Sequence, residues 1–297
     1  MKSILKSLFV LTAFAAVSIA AEDKNYPASE TLKIWDGVKM PGKTTEPLDY
    51  TGRKHIPSRI CVKDAILSLY PAKGAKDGGG LVIICPGGGY SNLWSVWYEG
   101  TKIAKLLNGR GISAAVLEYR VPNNFDGALM DAQRAIRIVR ANAARWNISP
   151  DKIAIMGFSA GASLSARAST NFKKNAYEPL DAIDKLSSRP DYTVLIYPAY
   201  CSQPEKDRRM TKAENKEQDY SKKYAIADWN VVDKDTPPAF ITQSQFDPYV
   251  DASIAYYLAL KKFGVPAELH MLSKGKHGDK SPDIFALLVK WLAERGF

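Results

Sequence analysis

Gly157-Phe158-Ser159-Ala160-Gly161 fits the pattern G-x-S-x-G, and its flanks decide how the chain is read. Before it, Lys152 to Met156 is a short run of strand length; after it, Ala160 to Thr170 is rich in Ala, Ser and Leu and predicts a helix. A serine between strand and helix sits on a tight corner with its hydroxyl projecting. The helix N-terminus then aims amide groups at whatever that hydroxyl attacks. Glycines two residues to either side are required because a Cβ there would crowd strand against helix. The stretch predicts a nucleophilic serine, which needs partners from elsewhere in the chain.

Outward from this corner, apolar runs alternate with helical patterns. Leu81 to Cys85 is continuously apolar, as in a strand buried on both faces, and ends in Pro86-Gly87-Gly88-Gly89-Tyr90. Further strands are predicted over Ser58 to Val62, Ala65 to Tyr70, Ile112 to Tyr119, Tyr192 to Pro198, Ala239 to Thr242 and Ala267 to Leu272. Helices are predicted over Trp97 to Asn108, Gly127 to Arg145 and Val250 to Phe263, with a last one capped by Ser281-Pro282. Ala21 to about Tyr50 reads as an extended arm. This alternation predicts an α/β fold, a mainly parallel central sheet with helices on both faces. Residues 203–235 are highly charged without an apolar period and read as an insertion, a possible lid.

Residues 1–20 have the form of a secretory leader: Lys2 and Lys6 precede an apolar run, and Ser18 and Ala20 stand at the −3 and −1 positions of a cleavage site. The expectation is an exported, secreted or periplasmic protein, with one domain over 21–297 and no membrane span. Of 41 basic and 31 acidic residues, removing the leader's two lysines leaves 39 against 31. The surplus is scattered rather than striped along one helix, so nucleic acid is not an expected partner. Cys61, Cys85 and Cys201 are an odd set without regular spacing, which is no disulfide framework. With no C-x-x-C, no H-E-x-x-H and no cluster of ligand residues, neither metal nor cofactor is expected.

A serine needs a general base, normally His oriented by a carboxylate. The chain has three histidines. His55 precedes the serine, and His270 lies inside a predicted strand. His277 lies in the polar loop after the last strand, at the carboxyl end where open α/β sheets bind ligands, and is the expected base. Asp247 and Asp251 both follow the preceding strand. Asp251 reads as a first-turn helix acid, which leaves Asp247 as the expected partner. Two N–H groups must face the developing oxyanion: Ala160 supplies one, and Gly88, with Gly87 next, the other. Tyr90, Trp94 and Trp97 follow that loop and offer a stacking surface for a sugar, with core packing as the other role open to them.

Together these residues resemble the α/β-hydrolase superfamily, and more closely the secreted acetyl-xylan esterases and xylanase-B-like carbohydrate esterases. The resemblance runs from about Ile34 onward and is strongest at Cys85 to Tyr90, Asp131-Ala132-Gln133-Arg134-Ala135, Gly157 to Gly161 and Ala267 to His270. It implies that the glycine run forms the oxyanion hole and that Ser159 is the nucleophile. It also implies that Asp247, in a D-x-x-V pattern, is the acid and His277, in an H-G pair, the base. The implied function is removal of acetyl groups from xylan or other plant polysaccharides through an acyl-enzyme. A general short-chain carboxylesterase or a peptidase-type hydrolase is the alternative. Pro86 replaces a histidine common in the wider superfamily, and Asp279 and Lys280 stand where aromatics often follow the H-G pair. Gln243-Ser244 precedes the acid where His-Gly or a similar pair is common.

Overall fold

The computed structural model describes residues 26–49, 57–203 and 224–297. The expected leader, His55 and residues 204–223 of the expected insertion lie outside the described residues. Eight strands form one sheet among the described residues: β1 Glu30–Lys33, β2 Ile66–Tyr70, β3 Gly79–Cys85, β4 Ser113–Glu118, β5 Ile148–Phe158, β6 Tyr192–Ile196, β7 Ala239–Ser244 and β8 Ala267–Leu272. Their order is β1-β2-β4-β3-β5-β6-β7-β8. β1–β2 and β2–β4 pair antiparallel, and every other pair is parallel. Every residue of β3, β4 and β7 is buried, which is why those segments read as unbroken apolar runs rather than alternating ones.

The helices are α1 Lys102–Asn108, preceded by a π turn over Trp97–Thr101, then α2 Phe125–Ala141, α3 Ala160–Thr170, α4 Val250–Lys262 and α5 Pro282–Ala293. On one face, Leu81, Ile83 and Ile155 pack with Ala132, Ile136 and Val139 of α2 and Leu164 of α3. Ala162 and Ala166 of α3 meet Leu195, Ile241 and Tyr256 of α4 alongside. On the other face, Val82, Ile84 and Met156 pack with Ile103 and Leu107 of α1 and with Ile284, Leu288 and Trp291 of α5. α3 is buried along its entire length, and every residue in it except Leu164 and Arg167 is small, which lets it lie close to the sheet. No helix among the described residues is long and apolar enough to cross a membrane.

Some boundaries differ from the sequence reading. Residues 58–62 form no strand; only single bridges join Arg59 to Leu93 and Val62 to Val121. The expected arm contains β1, an edge strand whose residues alternate between half-buried and exposed and so lack a long apolar signature. α2 starts earlier than expected, because the Asn124 side chain accepts from the Gly127 N–H at 2.9 Å and caps it.

The run Asp131 to Ala135 is a structural staple. Arg120 and Asp131 are fully buried and paired at 2.9 Å. The Arg120 backbone N–H and the Trp35 indole also donate to the Asp131 carboxylate, at 2.9 and 2.7 Å. Gln133 donates to the Asn171 and Lys174 carbonyls at 3.1 and 3.0 Å and accepts from Ala176 N–H at 2.9 Å. Arg134 reaches Asp181, Asp184 and the Ile34 carbonyl. Asp131→Ala strands a buried guanidinium and is expected to cost about 3–5 kcal/mol. Thermal denaturation should show a fall in Tm on the order of 10 °C.

Candidate active site

β5 ends at Phe158 and α3 begins at Ala160, leaving Ser159 alone on the corner with φ 52° and ψ −117°. A non-glycine residue held there stores roughly 1–3 kcal/mol of strain. Backbone bonds over-determine the position. Ser159 N–H donates to Ile196 O at 3.1 Å, and its carbonyl accepts from Ala162 and Ser163 at 3.1 Å and from Ala199 at 3.2 Å. A Cβ on Gly157 would lie 2.0 Å from the Gly161 carbonyl oxygen, and one on Gly161 would lie 2.1 Å from that of Cys85.

Three side chains from three strand ends converge at this corner. Ser159 Oγ lies 2.7 Å from His277 Nε2, and His277 Nδ1 lies 2.7 Å from Asp247 Oδ2. The Asp247 carboxylate is wholly buried, and its other oxygen accepts from Tyr249 N–H at 2.8 Å. Both oxygens are thus engaged, which fixes the carboxylate plane and with it the imidazole. With Nδ1–H donating to the carboxylate, Nε2 is left as the acceptor for the serine proton. The His277 ring is edge-on to Tyr197 and Tyr249, with centroids 5.3 and 4.9 Å away. Ser244 Oγ donates to Gly275 O at 2.7 Å and ties the histidine loop to the end of β7. The two alternatives lie elsewhere. His270 sits in β8 with Nε2 3.2 Å from Glu268, and Asp251 stands in the first turn of α4.

The glycine loop after β3 differs from expectation at one residue. Ala160 N–H opens α3 and has no intrahelical acceptor, and Gly88 N–H has no acceptor among the described residues. Gly87 N–H, the second choice for an oxyanion donor, points the other way and donates to Glu99 Oε2 at 2.7 Å. A buried carboxylate already holds that proton, so Gly87 is not free to serve. Gly88 has φ 147°, and a Cβ there would lie 2.1 Å from the Asn92 carbonyl oxygen.

The aromatic expectations divide. Tyr90 is fully buried, its hydroxyl 3.4 Å from Ser163 Oγ and its ring stacked 4.0 Å from Phe125. It is packing beneath the loop and presents no face to a sugar. Trp94 is 49% exposed; Trp97 is half-buried, with its indole N–H in the interior. Glu99, Tyr197, Tyr200, Tyr249 and Lys280 were not singled out from sequence. Tyr197 donates its hydroxyl to Glu99 Oε1 at 2.8 Å, and burial, reinforced by the Glu99 charge, holds its phenol far above the ordinary value. Burial and the neighbouring Tyr249 push Tyr200 up to about 12, so it too stays a donor at neutral pH. The legible signal for Tyr197 and Tyr200 was position alone, just after the carboxyl end of β6; in the structure both have positive φ.

Cys85 and Cys201 are buried and unpaired, and burial pushes each thiol up to about 12, so they pack as small apolar groups. Among the described residues no group of three or more His, Cys, Asp or Glu is arranged to hold a metal ion.

A mostly parallel sheet with a serine on the strained corner after its central strand, facing a histidine from the loop after the last strand, defines an α/β-hydrolase-fold protein. The chain belongs to that family: the family model described as alpha/beta hydrolase fold matches residues 83–279. It is 34% identical over 210 residues to an acetylxylan esterase of Xylanibacter ruminicola, a match covering 67% of this chain and 41% of the relative. It is 32% identical over 211 residues to endo-1,4-beta-xylanase B of Butyrivibrio fibrisolvens, covering 66% and 32%. The matched region therefore spans less than half the length of each of these relatives. The crystal structure of an acetyl ester-xyloside bifunctional hydrolase from Caldicellulosiruptor lactoaceticus superposes with a TM-score of 0.69 at 28% identity, covering 91% of this chain and 98% of that one.

Gly88→Ala places a Cβ inside the Asn92 carbonyl at a φ disfavoured for side chains. The expected cost is about 1–3 kcal/mol of stability, checked by urea denaturation.

Proposed function

We propose that this protein is a serine esterase that removes acetyl groups from xylan or related plant polysaccharides. The observation that carries the reading is the continuous Ser159–His277–Asp247 relay, with both links at 2.7 Å, beside two uncommitted N–H groups at Ala160 and Gly88. Ser159 Oγ attacks the ester carbonyl while His277 Nε2 takes its proton. The C–O bond to the sugar then breaks as the imidazolium returns that proton to the leaving hydroxyl. Water, deprotonated by His277, releases acetate from the acyl-enzyme. Asp247 stabilises the imidazolium, and the two N–H groups hold the oxyanion, each worth about 3 kcal/mol. The acetyl and xylan part of the reading is supported by the names of the two curated relatives and of the superposed hydrolase. Export, with residues 1–20 as the leader and 21–297 as one domain, is part of the same proposal and fits a polymer substrate.

The test is hydrolysis of aryl esters from acetyl to octanoyl, beside acetate release from acetylated xylan, with Ser159→Ala as control. Sharp acetyl preference with acetate from the polymer is the expected result. Activity on aryl esters alone keeps the relay and replaces the substrate with a small ester. Turnover that survives Ser159→Ala overturns the serine assignment.

Asp247→Asn keeps the shape but removes the charge that fixes the tautomer. Its kcat is expected to fall about 10³- to 10⁴-fold with little change in folding, read by steady-state kinetics and circular dichroism.

A further inference from the structure

Glu99 lies against the inner side of the glycine loop, outside the relay, and is 6% exposed. Oε2 accepts the Gly87 N–H at 2.7 Å. Oε1 accepts the Tyr197 hydroxyl at 2.8 Å and lies 3.1 Å from Lys280 Nζ. Gly87 belongs to the loop after β3, Tyr197 to the turn after β6, and Lys280 to the segment after β8 that carries His277. One buried carboxylate thus joins three strand ends. In a low-dielectric interior such a network holds its geometry because releasing any member leaves a buried polar group unpaired.

The orientation of the loop follows from this. Gly87 N–H is drawn into the protein, and the φ of 147° at Gly88 then reverses the chain, which leaves Gly88 N–H uncommitted. A Cβ on Gly87 would lie 3.0 Å from Ser159 Cβ, so the loop Glu99 anchors is in contact with the nucleophile corner. We propose that Glu99 is a positioning residue for the reaction at Ser159. It turns Gly87 inward so that Gly88 faces the substrate oxygen, and through Tyr197 and Lys280 it keeps the histidine loop in register with that donor. The inference rests on the serine-esterase reading, and Glu99 itself touches no reacting atom.

Glu99→Ala, Glu99→Gln and Lys280→Met would be compared with the parent enzyme on an aryl acetate. Parallel readouts are the affinity for methylboronic acid, whose tetrahedral serine adduct places an oxygen where the oxyanion forms, and the rate at which a fluorophosphonate probe labels Ser159. In Glu99→Ala, kcat is expected to fall about 100-fold with KM within about threefold, and the boronate to weaken in parallel. Glu99→Gln has one acceptor oxygen in place of two, so it cannot accept from both Gly87 and the Tyr197–Lys280 side, and a roughly tenfold loss in kcat is expected. Lys280→Met removes the ammonium from Glu99, and with it the contacts to the Gly278 carbonyl and the Tyr197 ring, with an expected loss of about fivefold in kcat. Should Glu99→Ala fail to fold, Glu99→Gln and Lys280→Met carry the test. Folded variants with kcat and boronate affinity within twofold of the parent, or losses confined to KM, overturn the proposal while the parent remains labelled. A parent that the probe leaves unlabelled overturns the serine reading and the proposal with it.

Discussion

Backbone contact between β3 and β5 sets the geometry of the site. Cys85 lies opposite Gly157 in the parallel ladder, and the Cys85 and Pro86 carbonyls lie where a side chain on Gly161 would otherwise be. With no Cβ on Gly161 the end of β3 presses directly on the start of α3, and with none on Gly157 that same turn presses on β5. The serine corner and the end of β3 beside it are therefore placed by main-chain atoms, which cannot change rotamer. α3 continues the same economy of volume: a helix of small residues, buried throughout, brings its N-terminus up to the sheet.

Buried charge is used in two ways around this frame. Asp131 and Asp184 are paired with guanidinium groups of Arg120 and Arg134 between α2, the N-terminal segment and the turn before β6. Such pairs contribute little net stability over an apolar core but penalise any alternative packing of their elements. Asp247 and Glu99 are held differently. Their partners include an imidazole, backbone amides and a phenol, and both lie at the carboxyl ends of the strands, around Ser159. The first set fixes the scaffold, and the second orients groups around Ser159.

Much of this was legible in the sequence for identifiable reasons. The strands of the sheet centre were plain because burial on both faces makes them continuous apolar runs, and α3 was bounded by the same motif that marks the corner. Ser159, Asp247 and His277 could be nominated because chain order and strand-end loops restrict the options, and the structure brings those three together. β1 was lost because a half-exposed edge strand carries no such run. Gly87 was mistaken for a free donor because its acceptor, Glu99, lies in a helical turn twelve residues on, and periodicity says nothing about which carboxylate folds beneath a loop. Tyr90 was read as a possible platform because proximity in sequence to the loop does not reveal which side of the loop a ring occupies.

The relay spans 118 residues between Ser159 and His277, and the strand before His277 is the outermost in the sheet, half-exposed along its length. The corner that bears the serine lies at the centre of the sheet, while the histidine that faces it follows an edge strand. β8 has a strand partner on one side only, β7, to which it is paired from Ala267 to Leu272. The geometry of the Ser159–His277 hydrogen bond thus depends on the pairing of β8 with β7 at the rim of the sheet as much as on the packing at its centre.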